Sequence, residues 1–413
     1  MSRRNFSNEA RDPVDKMKVA MLTAEFPPKW GGVGIGAYYH ALVLTKQHKV
    51  DFDIFTRKMA EPFPKMPGKT KMHSVHFTKL PMYFATSFGR NAVKRMEELG
   101  KKWDLCHVEG NMTLLDKDLY PRIKAPIITS QHGTWRGERS EMRFEDLSFN
   151  LKGMNDLAVM YLSPRFDKYE DYALMCSDVV VAISKREEKA LKARGVKDVK
   201  ARIVRIAQGV DEKTFNPSNK DPKLRKRLGV KDGESLILFV GRLAGRKGLD
   251  MVVEAFDTIS KEDRKVHLAI VGTGPRTGMV LKEARGRGFE DRMTMCGTVD
   301  LKELAKYYAT ADVTLFPSRW EGFGLIPLES MASGTPCVST RVGAADDIIT
   351  DGVDGYLVDV DDHEALAEKA MKVLKSPDKR ESMSKAARKK VEDNFTWSHT
   401  GRAYYKLYQE LAK

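Results

Sequence analysis

Cysteine is scarce: 4 in 413 residues, at Cys106, Cys176, Cys296 and Cys337, with no C-x-x-C pair among them. That spacing argues against a disulfide framework or a structural zinc, and the apolar, strand-like runs around Cys106 and Cys296 mark buried free thiols. Any uninterrupted run of about 18 apolar residues is missing too, which excludes a spanning helix of ordinary type. Residues 1–16 are polar and mixed in charge, without the apolar centre of a signal peptide, so the expectation is a disordered start to a cytoplasmic protein. No RNP-type motif, zinc finger or basic–aromatic stripe occurs, which argues against a nucleic-acid partner.

What is present is unevenly charged. The formal net charge is +14; residues 1–205 hold 37 Lys+Arg against 25 Asp+Glu, or +12, and the remainder 34 against 32, or +2. A basic first half fits a plain solvated surface, and it equally fits an anionic partner, either an acidic acceptor or the inner face of an anionic membrane. Lys94, Arg95, Lys101 and Lys102 cluster on and after a helix expected at Asn91–Leu99, beside Phe88, Val93, Met96 and Trp103. This mix has two readings. The apolar residues face a core under a solvated basic surface, or they enter a membrane interface while the cations meet head groups.

Short apolar runs alternate with longer amphipathic segments. Strands are expected at Lys18–Thr23, Val50–Thr56, Leu105–Val108, Ile127–Ser130 and Val179–Ile183, with helices near Gly34–Lys46, Asn91–Leu99 and Phe166–Met175. Ser184 opens another helix, and Glu187 three residues later predicts a capping box. The pattern restarts with strands at Ser235–Val240, Val266–Val271, Met293–Cys296, Val313–Phe316 and Cys337–Thr340. Helices fill the gaps near Leu249–Ile259, Pro275–Arg287, Leu301–Ala309 and Leu325–Ser333. Such alternation gives an α/β fold with parallel sheets covered by helices. Two Rossmann-like, doubly wound domains are expected, over residues 17–208 and 209–394, with a hinge at Ala207–Asp211 and a polar loop or insertion at Asn216–Lys231. The tail, residues 395–413, reads as an aromatic amphipathic helix that packs back on the first domain.

Ligands of open parallel sheets bind beyond the carboxyl ends of the strands, so chemistry is sought in the loops there. The first such loop, Glu25-Phe26-Pro27-Pro28-Lys29-Trp30-Gly31-Gly32-Val33-Gly34, is glycine-rich and opens a helix. Glycines let the backbone approach a ligand, and helix N-termini favour anions. The second, Val240-Gly241-Arg242-Leu243-Ala244-Gly245-Arg246-Lys247-Gly248, sets Arg242 and Lys247 five residues apart across a turn, a planar fork and a point charge suited to a diphosphate. The third follows Val313–Phe316 and runs from Glu321 to Gly334. Gly322 and Gly324 free the backbone at a helix start, while Glu321 and Glu329 offer carboxylates able to accept hydrogen bonds from sugar or ribose diols.

These motifs in this order resemble glycosyltransferase family 4, with the GT-B architecture of two Rossmann-like domains facing across a cleft. The E-x7-E element Glu321…Glu329 is the most distinctive mark, and Arg242…Lys247, the glycine-rich first loop and the run Val271–Pro275 with Gly272 agree with it. The resemblance spans nearly the whole chain. It implies that Arg242 and Lys247 hold the diphosphate of a nucleoside-diphosphate sugar and that Glu329 takes the ribose hydroxyls. Glu321 would hold the transferred sugar with backbone amides of Phe323, Gly324 and Leu325, Gly31 and Gly32 would close on the phosphates, and His132 would lie beside the sugar.

The activity so implied is retaining transfer of the sugar to an acceptor hydroxyl, on a saccharide or a lipid-linked molecule, with no cofactor beyond the donor. The family is thought to bring the acceptor in on the leaving-group face, so no protein nucleophile is expected. No metal is expected either: Asp51-Phe52-Asp53 lies inside an alternating strand and Asp359-Val360-Asp361 in a charged loop, and cationic side chains can supply the diphosphate's counter-charge. A glucan or disaccharide synthase, a GT-B phosphorylase or epimerase, and a sugar-nucleotide-binding protein without turnover are the alternatives. Lys29-Trp30-Gly31-Gly32 resembles the K-x-G-G loop of glucan synthases, and the intact Arg242, Lys247, Glu321 and Glu329 speak against a dead relative.

Overall fold

The computed structural model describes residues 16–27, 31–59, 61–80, 83–111, 113–140 and 154–412. Most of the expected disordered start, and Lys29 and Trp30 of the first loop, lie outside the described residues.

In the first half, β1 (Lys18–Leu22), β2 (Asp51–Arg57), β3 (Lys71–Val75), β4 (Leu105–Glu109), β5 (Ile127–Gln131), β6 (Val179–Ala182) and β7 (Arg202–Arg205) form a parallel sheet in the order β3-β2-β1-β4-β5-β6-β7. In the second half, β8 (Ser235–Val240), β9 (Val266–Val271), β10 (Met293–Gly297), β11 (Val313–Phe316), β12 (Cys337–Thr340) and β13 (Tyr356–Val358) form another, in the order β10-β9-β8-β11-β12-β13. Both sheets are covered on both faces, which explains why their central strands read as unbroken apolar runs. Along β8, Leu236, Leu238 and Val240 enter one buried cluster, while Ile237 and Phe239 enter another with Leu249, Val252 and Phe256 of the following helix. In each sheet the chain order reverses beside the first strand, between β1 and β4 and between β8 and β11. A crevice opens at such a point, beyond the carboxyl ends.

The terminal helix, Trp397–Leu411, returns to the first half. Its Tyr404, Leu407 and Tyr408 share a core with Val19 and Met21 of β1 and with Ala37, Ala41 and Leu44 of the helix Gly32–His48. The chain therefore crosses between the halves twice, and the crossings lie side by side: the Val210 amide donates to the Phe395 carbonyl at 2.8 Å.

Some elements differ from the sequence reading. β3, β7 and β13 are unanticipated, because β3 and β7 are edge strands carrying Lys, His and Arg, and β13 has only three residues. The helices His363–Leu374 and Pro377–Asn394 also escape, their apolar positions being sparse among charges. The polar stretch Asn216–Lys231 contains a helix, Pro222–Arg227, capped by Asp221. Ser184 does accept a hydrogen bond from the Glu187 amide, but the Glu187 carboxylate does not return to Ser184; it binds the Gly133 and Ile183 amides. The helix expected at Asn91–Leu99 spans Tyr83–Leu99, and Phe88, Val93 and Met96 are buried in the core beneath it. Trp103 donates to Asp53 at 2.9 Å, so these residues support the core-facing reading and leave Lys94, Arg95 and Lys102 as an exposed basic face. Among the described residues, no helix is long and apolar enough to cross a membrane.

Candidate active site

Three turns at the carboxyl ends of β8, β9 and β11 build the second-half wall. Gly272, at φ +135°, lets the β9 turn lie directly on the β8 turn: a Cβ there would sit 1.9 Å from the Gly241 carbonyl oxygen. Arg242 leaves β8 half-buried. Lys247 reaches across to the β11 turn, where its ammonium donates to Glu321 Oε1, and the Ser318 hydroxyl donates to the same oxygen at 2.8 Å. Burial alone would favour the neutral acid, but Lys247, aided by Arg246 and the Ser318 hydroxyl, outweighs it and holds the Glu321 carboxyl below the usual carboxylate range.

Gly324, at φ +90°, turns the chain into the helix Leu325–Ala332, bringing the Phe323, Gly324 and Leu325 peptides to its N-terminus. There the partial positive charge of unsatisfied amides favours anions. Glu329 lies one turn further along the helix and accepts from the Tyr308 hydroxyl at 2.8 Å. Among the described residues no cation faces it as Lys247 faces Glu321, and burial pushes its carboxyl up to about 7. Glu329 borders a small recess whose other walls include Ile35, Tyr39, Asp211, Leu325 and Trp397. Tyr39 and Trp397 stack there with ring centroids 5.2 Å apart.

The first half contributes two segments. Gly31 precedes the helix Gly32–His48; its amide donates to Glu25 Oε2 at 3.2 Å, and both Gly31 and Gly32 are exposed. His132 follows β5 and is fixed from several sides. Its Nε2 lies 2.6 Å from Glu109 Oε2 and its Nδ1 lies 2.8 Å from Gln208 Nε2. The next peptide is held as firmly, with the Gly133 amide donating to Glu187 at 2.7 Å and its carbonyl accepting from Asn111 at 2.5 Å. Glu187 is buried, which pushes its carboxyl up to about 7 despite the Ile183 and Gly133 amides that donate to it.

The two walls touch. A Cβ on Gly322 would lie 2.1 Å from the His132 carbonyl oxygen, so the β11 turn rests on the His132 backbone. Arg246 pairs with Glu138 at 3.0 Å, and Lys185 pairs with Asp347 at 3.3 Å, each bridging the halves. Lys247, Glu321, Phe323 and Gly324 thereby come together with His132, Arg242 and Gly272 line the adjoining turns, and Glu329 lies deeper. Gly31 and Gly32 form the opposite helix end.

Sequence reasoning missed Glu109, Tyr308 and Ser318. Glu109 carried a signal, being the acidic residue that ends an apolar strand, but the strand was expected to stop at Val108. Both D-x-D runs have protein partners: Asp53 accepts from His73, Lys101 and Trp103, and Asp361 accepts from Arg319 of the β11 turn at 2.8 Å. His40, His107 and Glu109 are the one trio among the described residues spaced to hold a metal ion. All four of their ring nitrogens, however, already bond protein groups: Glu109, Tyr408 and Ser130.

Comparison with known proteins gives two family matches that between them span most of the chain. Residues 30–214 match Glycosyltransferase Family 4, and residues 220–390 match Glycosyl transferases group 1. The chain is 25% identical over 398 residues to the N-acetyl-alpha-D-glucosaminyl L-malate synthase of Bacillus anthracis, covering 94% of this chain and 96% of that protein. It is 32% identical over 250 residues to a D-inositol 3-phosphate glycosyltransferase of Xylanimonas cellulosilytica, covering 59% and 60%. Among solved structures, the sucrose-phosphate synthase of Thermosynechococcus elongatus superposes with a TM-score of 0.78 at 22% identity, over 96% of this chain and 99% of that one, a likeness of fold.

Proposed function

The chain belongs to glycosyltransferase family 4 and has the GT-B fold, and from that premise we propose that it moves a hexose from a nucleoside-diphosphate sugar to an acceptor hydroxyl with retention of the anomeric configuration. The observation that carries this reading is the Lys247–Glu321 pair, set at a glycine-broken helix start against the His132 backbone. The barrier to transfer is departure of a diphosphate from an oxocarbenium-like centre. Arg242, Lys247 and the amides at the head of Leu325–Ala332 supply preorganised positive charge to the leaving oxygens. Glu321 accepts hydroxyl hydrogen bonds of the sugar and Glu329 those of the ribose. The acceptor enters on the leaving-group face, where the departing phosphate oxygen takes its proton, so no nucleophilic side chain is required. No cofactor beyond the donor is invoked.

The acceptor is inferred to be anionic. The first half carries +12 of the net charge, and the names of two relatives specify malate and an inositol phosphate. A soluble acid or phosphate and an anionic lipid share this chemistry. A thermal-shift screen against UDP-, GDP- and ADP-sugars identifies the donor, because ligand at about 100 times its Kd stabilises by roughly 2.7 kcal/mol. Transfer assays with malate, inositol phosphate and neutral sugars then test the charge, and flotation with neutral and anionic liposomes tests the lipid. Exclusive use of neutral acceptors overturns the anionic assignment. Donor binding without transfer or hydrolysis overturns the enzyme reading.

A further inference from the structure

Both chain neighbours of Glu321 touch the turn after β5. Gly322 meets the His132 carbonyl, and Trp320, on the other side, reaches further into the first half. A Cβ on Gly133 would lie 2.8 Å from the indole Cη2 and 3.0 Å from Cζ2, and a Cβ on Gly137 would lie 3.1 Å from its Nε1. The half-buried indole therefore rests on bare backbone at two places, in a socket that glycine leaves open.

The socket is rigid and covered. Gly133, at φ +110°, is the peptide pinned by Glu187 and Asn111. Gly137 lies in the helix Trp135–Ser140, where a glycine weakens the helix and calls for a packing reason; the indole supplies one. Arg246 covers the ring, its guanidinium carbon 5.9 Å from the Trp320 centroid, and pairs with Glu138, the next residue of that helix, at 3.0 Å. Arg246 also precedes Lys247, the partner of Glu321. Glu321 is thus straddled by two contacts with the His132 turn, one through backbone and one through the indole.

We propose that Trp320 is a positioning residue for glycosyl transfer: its indole, seated between Gly133 and Gly137 of the first half, fixes Glu321 relative to His132. This rests on the reading that Glu321 holds the transferred sugar. The nucleotide contacts assigned to Arg242, Lys247 and Glu329 lie wholly in the second half, so the socket governs turnover rather than nucleotide affinity.

The test uses the full chain, labelled with 5-fluorotryptophan for 19F NMR and unlabelled for kinetics. The resonance missing from Trp320→Phe is that of Trp320. Gly137→Ala, a change in the first half, should move it, because the added methyl would lie 3.1 Å from the indole nitrogen. An unmoved resonance overturns the seated indole. Trp320→Ala should lose about a hundredfold in kcat, the usual effect of a 1 Å misplacement in a positioned site. Donor KM and nucleoside diphosphate affinity should hold nearly constant, which also shows that the variant folds. Trp320→Phe keeps a ring in the socket and should retain most of the turnover. Wild-type kcat in Trp320→Ala overturns the proposal, and so does a loss of nucleotide affinity as large as the loss of kcat. In the Glu321→Gln background Trp320→Ala should cost far less, since a residue acting through another is not additive with it; an additive loss overturns the proposal. Full turnover in Glu321→Gln instead removes Glu321 from the sugar reading, while the 19F shift still decides whether Trp320 bridges the halves.

Discussion

Lys247 donates its ammonium to the carboxylate of Glu321, linking the turn after β8 to the turn after β11. Each partner is also a group assigned to the donor, Lys247 to the diphosphate and Glu321 to the sugar hydroxyls. The pair keeps a buried carboxylate ionised, and in the proposed reaction it would present that acceptor to a sugar hydroxyl and hold the cation near the leaving group.

Removing the cation therefore strands the carboxylate. Lys247→Ala and Arg242→Ala should each fold and lose about 10²–10³-fold in kcat/KM, the usual effect of deleting one preorganised charge donor. Lys247→Ala should also lower Tm at neutral pH. Its partner Glu321 has a depressed pKa in the folded state, so the pair stabilises above the ordinary value of 4.5 and the benefit fades as pH falls through the depressed one. Adding Glu321→Gln should restore part of the lost Tm, because a neutral amide is less costly to bury than an unpaired charge. Scanning calorimetry at pH 7 and pH 4 checks this; equal Tm loss in the single and double variants contradicts the stranded-charge account.

Glu329 predicts the opposite pH behaviour. Burial raises its folded pKa to about 7, above the ordinary 4.5, so a raised acid is best tolerated at low pH and its stability contribution is lost as pH rises through 7. Glu329→Gln should stabilise the free protein at pH 8 by on the order of 1–3 kcal/mol and leave it nearly unchanged at pH 4.5. If the ionised form accepts the ribose hydroxyls, nucleoside diphosphate should bind more tightly above pH 7 than below it, with a proton released on binding. Calorimetry in buffers of different ionisation enthalpy reads that proton. Glu329→Ala should weaken the free nucleotide, whereas Glu321→Ala should spare it and impair transfer; the reverse pattern means the two roles are exchanged.

Transfer should persist in excess EDTA. The diphosphate is assigned cationic side chains, Asp53 and Asp361 of the D-x-D runs are already paired with Lys101 and Arg319, and the ring nitrogens of His40 and His107 are occupied by protein partners. Loss of activity that Mg²⁺ alone restores would refute this.

The parallel strands at the centre of each sheet were legible because burial on both faces leaves no alternation to misread, as β8 and β9 show. Their following turns were legible because Gly, Arg, Lys and Glu gather there in place of the apolar residues a core would use. What stayed hidden depends on long-range partners. β7 exists because β6 offers it an open edge, and its own Arg202 and Arg205 say nothing of that. Glu187 looked like half of a capping box, since three-residue spacing to Ser184 is all a sequence reports; only the fold places Gly133 within reach of its carboxylate. Glu109 was hidden for the same reason, its significance lying in His132, on the neighbouring strand's end and 23 residues away.

The contact between Gly322 and His132 gives the last prediction. The halves meet backbone to backbone there, and a methyl on Gly322 would lie 2.1 Å from the His132 carbonyl oxygen and 2.9 Å from its carbon. No side-chain rotation relieves that overlap, since the obstacle is a peptide group itself held by Glu187 and Asn111 through Gly133. Gly322→Ala can be accommodated only by parting the two walls or by moving the β11 turn, and either displaces Glu321 from His132. A misplacement of about 1 Å in a positioned site costs on the order of a hundredfold in rate. Gly322→Ala should therefore lose kcat to that extent while Tm falls by only a few degrees, because both cores are untouched. Nucleoside diphosphate affinity should change little, since Glu329, Arg242 and Lys247 all lie on the same side of the contact. Steady-state kinetics, calorimetry and solution scattering together read these quantities. Wild-type kcat in Gly322→Ala would show that this contact is not maintained during turnover.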